Sequence, residues 1–110
     1  MPQEVKPMTE PKKQPIYYVV FFDIDYLSVA EALAEAPEAI AAHKKRSQEW
    51  HEQGKLVMAG AFRDSPEGRL NTMGILTSRE AAEAFAKGDP FVVNGKVIRW
   101  YIREWNNMLA

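Results

Sequence analysis

Seven consecutive residues, 16–22 (IYYVVFF), are apolar or aromatic without a break, and Asp23 and Asp25 follow them. A β-branched and aromatic run of that length is too short for an ordinary helix and predicts a strand. Ser28 then opens an S-x-x-E capping box with Glu31, ahead of alanine-rich helix formers. Pro37 interrupts that run. Proline costs about 3 kcal/mol inside a helix but suits its first turn. The pattern therefore predicts a short helix over 29–36 and a main helix from Pro37 to about Gln53, capped by Gly54. Residues 55–63 (KLVMAGAFR) read as a second strand, 64–68 (DSPEG) as a turn and 69–77 as a third strand. Thr77 and Glu80 form another capping box, which opens a helix over 78–87 that ends on Gly88. Asp89-Pro90 fits an N-cap and first position for one more turn, closed by Asn94-Gly95. Residues 96–105 (KVIRWYIREW) complete the set as a fourth strand. Strand, helix, hairpin, helix, strand is the β-α-β-β-α-β order of a ferredoxin-like α+β domain, an antiparallel sheet with its helices on one face.

In such a plan the second sheet face meets water, and each strand should alternate apolar with polar. The first strand does not alternate: Ile16, Tyr18, Val20 and Phe22 fall on one face, and Tyr17, Val19 and Phe21 on the other. The second sets Leu56, Met58 and Phe62 against Val57, Ala59 and Ala61. The third sets Leu70 and Leu76 against Met73 and Ile75. So much exposed apolar surface exceeds what monomers show. A second copy, sheet face to sheet face, is the economical cover, and a homodimer is expected.

Residues 1–15 differ in kind. Pro2, Pro7, Pro11 and Pro15 are spaced through polar residues, a composition that cannot repay its ordering entropy. A flexible proline-rich arm over 1–15 and one folded domain over 16–110 are the expected organisation. The formal net charge of −1 provides no positive field for nucleic acid or a membrane surface. The chain has no cysteine, which excludes disulfides, thiolate nucleophiles and Cys-ligated zinc. No window approaches a membrane span, and the N-terminal residues have no apolar signal core. A cytoplasmic location is expected.

His43 is the leading candidate for chemistry. Ile40, His43, Ser47 and Trp50 recur as one stripe of the main helix, which should face the sheet. An inward imidazole beside a carboxylate can serve as acid or base near neutral pH; it can equally be a core histidine bonded to backbone. Asp89 is the next candidate, and its capping role is compatible with one oxygen facing a cleft. Arg63, Asp64 and Arg69 flank the hairpin turn and are candidate ligand-binding residues at a pocket rim, though turn chemistry explains them as well. His51 falls beside the stripe, where solvent exposure or a favourable charge at the helix end explains it. Lys44, Lys45 and Arg46 read as a solvated face. Arg99 and Arg103 read as edge protection, and Trp100 and Trp105 as core or interface. Gly60 and Gly74 interrupt strands and could open ligand space between helix and sheet. His43 and His51 lack clustered carboxylates at ligand spacing, so no metal site is expected. No glycine-rich phosphate loop or nucleophile elbow occurs, and no cofactor is expected.

Taken in order, YYVVFFD, the helix with His43, GKLVMAGAFRD, EAAEAF, DPFVVNG and IREW are similar to the YciI-related family over residues 16–105. The most specific pieces are AGAF with its turn and the stretch from Ala81 to Phe91. The resemblance implies a dimeric α/β barrel related to muconolactone isomerase-like and EthD-like proteins. It implies that His43 and Asp89 line a pocket. It also implies a small cofactor-free enzyme of lyase or isomerase type, acting on a small organic acid or lactone; some relatives dehalogenate chlorinated muconolactones. The alternative is a non-catalytic ligand-binding or structural homodimer. The chain departs from the family in its arm, in the added segment 28–36, and in carrying Pro37, Glu38, Ala39 and Ile40 where many relatives place an arginine before the histidine.

Overall fold

In the computed structural model, which describes residues 15–65 and 67–109, the aromatic run becomes strand β1 (Ile16–Ile24). Helices α1 (Val29–Glu35) and α2 (Pro37–Glu52) follow. Strands β2 (Leu56–Ala61) and β3 (Leu70–Leu76) form the hairpin. Helices α3 (Arg79–Lys87) and α4 (Pro90–Val93) lead into β4 (Val97–Asn106). The expected α+β architecture is observed. All strand pairings are antiparallel and the sheet order is β2-β3-β1-β4, which places the first strand at the centre. Residues 1–14 of the expected arm lie outside the described residues. Among the described residues, no helix is long and apolar enough to cross a membrane.

One sheet face carries the core. Val20, Phe22 and Ile24 of β1, with Leu56, Leu70 and Leu76, pack against Ala82, Phe85 and Ala86 of α3 and Phe91 of α4. Ala39 of α2 and Ala32 of α1 complete the layer. Small residues on the helices let them approach closely. A Cβ on Gly74 would meet the Phe85 ring at 3.2 Å and Leu56 at 3.3 Å, so this glycine admits α3 to the sheet rather than opening ligand space there. Gly60 differs: nothing lies within 4 Å of a Cβ built there.

Local differences from the sequence reading have identifiable causes. Leu56 pairs with Leu76 but Met58 pairs with Ile75, so Val57 is an extra residue in β2. Such a bulge flips everything beyond it to the other face. Leu56 therefore shares the core side with Ala59 and Ala61, while Met58 turns outward and is 63% exposed. The N-cap of α3 is Ser78, whose hydroxyl accepts from Ala81 N, and not Thr77. Thr77 is still held by the sheet, its N–H donating to Lys55 O at 3.1 Å. Ser28 caps α1 as expected, but the Glu31 carboxylate accepts from Leu27 N rather than from the cap itself.

The opposite sheet face presents Tyr17, Val19 and Phe21 beside Met73 and Ile75 of β3 and Tyr101 and Trp105 of β4. Phe21 stacks on Tyr101 with centroids 5.1 Å apart. Tyr101 is 39% and Trp105 49% exposed. At one end Asp23 accepts from Asn71 Nδ2 (2.6 Å) and Arg99 Nε (2.8 Å), so a polar cluster borders the apolar area.

Candidate active site

Helix α2 carries the stripe Ile40, His43, Ser47 and Trp50 toward the sheet. Pro37 starts the helix at its first position, where the missing N–H costs nothing. The chain then returns, forty-odd residues later, at the junction of α3 and α4. There Asp89 N-caps α4: its Oδ2 accepts from Phe91 N at 2.9 Å. Pro90 at the first helical position fixes the backbone that aims this carboxylate. The second oxygen, Oδ1, lies 2.7 Å from His43 Nδ1. Asp89 is only 2% exposed. Burying a carboxylate is expensive unless it is paired and hydrogen-bonded, and here both oxygens have partners.

That arrangement fixes the histidine. An ionised carboxylate only accepts, so His43 Nδ1 carries the proton and donates it to Asp89. Nε2 is then the basic nitrogen of the neutral ring. The ring packs 5.9 Å from Phe91, and the side chain keeps 28% exposure.

His43 lines a cavity of about 650 Å3 between the helices and the sheet. Its floor is apolar, built from Phe22, Ile24, Leu56, Leu70, Phe85 and Phe91. Its polar lining comes from α2, with His43, Lys44, Ser47, Gln48 and His51, and from Thr72 of β3. Val29 and Leu33 of α1, about half exposed, contribute to the lining from the added segment. Gly60 lines it too, although its pairing with Met73 places it on the opposite side of the sheet from Ala59 and Ala61. A smaller hollow of about 270 Å3 lies on the opposite sheet face, by Val19, Phe21 and Trp105, and contains neither His43 nor Asp89.

Other sequence candidates fall elsewhere. Arg63 and Asp64 are exposed beyond the end of β2 and do not line the cavity. Arg69 pairs with Asp25 at 3.4 Å, also away from the lining. Arg46 behaves differently from a solvated cation. Its guanidinium donates to Ala84 O and Phe85 O, both at 2.9 Å, at the C-terminal end of α3. It also lies over the rings of Trp50 and Phe85. Burial lowers its pKa from the ordinary arginine value, and the Asp89 charge partly opposes that shift. The signal was present in the sequence: Arg46 and Trp50 are four apart on one helix. His51 is exposed, as expected, yet it lines the cavity and its Nδ1 is 2.7 Å from Leu56 O.

Comparison with known proteins follows from these features. The profile of the YCII-related domain matches residues 25–106. Among solved structures, the chain is similar to 5-chloro-2-hydroxyhydroquinone dehydrochlorinase from Burkholderia phenoliruptrix AC1100, in complex with 2,5-dihydroxybenzoquinone. That similarity has a TM-score of 0.60 at 14% identity and covers 83% of this chain and 94% of that one. The Arabidopsis thaliana protein At3g17210 is similar with a TM-score of 0.46 at 12% identity, over 87% of this chain and 98% of that one. No curated protein matches the chain. At these identities the structural likeness concerns the fold.

Proposed function

The chain belongs to the family of YCII-related domains, and from that premise we propose that it is a small acid–base enzyme of lyase or isomerase type. The observation that carries this reading is the 2.7 Å hydrogen bond between His43 and buried Asp89 at the wall of a largely apolar cavity. A small organic acid, a lactone or a related hydroxylated ring is the substrate class. The dehydrochlorinase of the same fold acts on a ring compound of comparable size, which supports that choice.

In this reading His43 Nε2 removes a proton from a carbon or hydroxyl of the substrate. The electron pair of the broken bond forms a new double bond. In an isomerisation the imidazolium returns the proton to another atom of the same molecule. In an elimination the leaving group departs with its bonding pair, and the proton passes to water. Asp89 holds the ring in the reactive tautomer and stabilises the imidazolium once it forms. The apolar walls strengthen that charge interaction by excluding water.

The test is proton exchange at carbon. Unsaturated γ-lactones and hydroxylated benzoquinones are incubated with the protein in D2O, and deuterium wash-in is followed by proton NMR. Acceleration over buffer is expected for at least one class. Buffer rates across both classes would sink the enzymatic reading and leave Asp89 and His43 as a structural pair.

The same proposal includes a homodimer closed through the second sheet face, and a cytoplasmic location. Tyr101, Trp105 and Met58 leave more apolar surface exposed there than an isolated domain tolerates well. At micromolar concentration the protein should elute at twice the chain mass of 12.5 kDa. Tyr101→Glu, at a position 39% exposed within one chain, should shift it to the monomer without unfolding it. Elution of the unsubstituted chain as a monomer would refute the dimer.

A further inference from the structure

The cavity holds polar groups that proton transfer at His43 leaves without a task. Ser47 Oγ is buried and has no hydrogen-bond partner among the described residues, although it lines the cavity. A buried hydroxyl left unpaired is costly, so such an atom calls for an explanation. One turn further along α2, His51 lines the same cavity. Leu56 O can only accept, so the 2.7 Å contact makes His51 Nδ1 the donor. In the neutral ring Nε2 is then an acceptor, and no partner within the chain uses it among the described residues.

These two side chains complement each other. Residues four apart on a helix are neighbours on its surface, roughly 5–6 Å between Cβ atoms. Ser47 can donate through its hydroxyl proton, and His51 can accept through Nε2. A ligand hydroxyl needs both kinds of partner, because it accepts and donates at once. A carboxylate or ether oxygen would satisfy Ser47 but not His51. Along the helix axis the midpoint of this pair lies six residues from His43, a rise of about 9 Å. The lining of the same cavity includes the apolar Phe22, Leu56 and Phe85.

We propose that Ser47 and His51 form a hydroxyl-binding subsite, so that the cavity takes a flat, mostly apolar molecule with one hydroxyl held there and its reacting end at His43. The proposal rests on the reading of the cavity as the active site. It makes Ser47 and His51 specificity-determining residues: molecules of the same shape without the remote hydroxyl are the ones excluded.

The test uses binding alone, so it does not require turnover. The probe is para,para′-biphenol, a rod with a hydroxyl at each end, and para,para′-dimethylbiphenyl is the control of nearly the same shape without donors or acceptors. Nitrogen-15 spectra of the labelled protein report both imidazoles. Biphenol should move Nε2 of His43 and of His51. Ser47→Ala and His51→Phe should each weaken biphenol about three- to tenfold, the range of one neutral hydrogen bond. Neither should change binding of the dimethylbiphenyl by as much as twofold. The proposal is overturned if biphenol does not bind up to its solubility limit, or if it binds while His51 Nε2 stays unmoved. Equal weakening of biphenol and dimethylbiphenyl by Ser47→Ala would overturn it as well, and that small substitution on a helix keeps the test open should His51→Phe not fold. Failure of isotope exchange with normal biphenol binding would remove the acid–base reading and leave the subsite standing; the reverse result would do the opposite.

Discussion

His43→Ala should slow deuterium exchange into any responsive substrate by about a hundred- to ten-thousandfold, the range that a positioned general base contributes. The reasoning is geometric. His43 is the cavity imidazole held by a buried carboxylate, with Asp89 Oδ1 2.7 Å from Nδ1. Truncation removes Nε2 from the reacting atom and puts nothing in its place. The fold should survive, since the side chain is 28% exposed and Asp89 keeps its bond from Phe91 N. Circular dichroism and elution volume check that point on the same sample. Asp89→Asn is the informative companion. Asparagine caps a helix about as well as aspartate, so α4 should stay in place. The charge that stabilises the imidazolium is lost, and exchange should fall substantially while stability changes little. Exchange by His43→Ala at the unsubstituted rate would show that the imidazole is not the base.

Phe85→Ala is expected to cost about 3–5 kcal/mol of folding stability, the usual range for a buried phenylalanine. Phe85 of α3 is 2% exposed and ties three elements together. Its ring meets Phe22 of β1 edge-on, centroids 6.3 Å apart, and Trp50 of α2 at 5.4 Å. The Arg46 guanidinium lies over it, 5.2 Å from the centroid. Gly74 lies beneath, with no side chain to fill the space the ring leaves. Domains of this size have about 5–15 kcal/mol in total, so the variant should sit near the edge of folding. Urea titration of both proteins measures the difference. A loss below about 1.5 kcal/mol would mean that the α2–α3 contact is not central to the core.

Much of this was legible in the residues because the signals were local and repeated. The β1 run, Pro37 at a helix start, Asp89-Pro90 as a cap and the stripe through His43 are each specified within a few positions, and each stands where expected. What escaped the sequence depends on two segments meeting. The Val57 bulge exists only against β3, so alternation alone put Leu56 and Met58 on one face. Ser78 and Thr77 are both good caps; the pairing of Thr77 with Lys55 decides between them. Arg46 looked solvated because its acceptors lie nearly forty residues away. At the site, His43 and Asp89 come together, but of the two only His43 lines the cavity. Arg63, Asp64 and Arg69 belong to the hairpin end, outside the cavity lining, because the turn carries them past its edge.

The bond between His43 and Asp89 joins the two halves of the chain across a separation of 46 residues. His43 comes with the first helix pair and Asp89 with the second, and Arg46 binds the carbonyls just ahead of Asp89 in the same docking. Neither half alone holds an oriented imidazole. Under the proposed acid–base reading, the oriented base therefore arises only when α4 has settled against α2, and neither segment carries it alone.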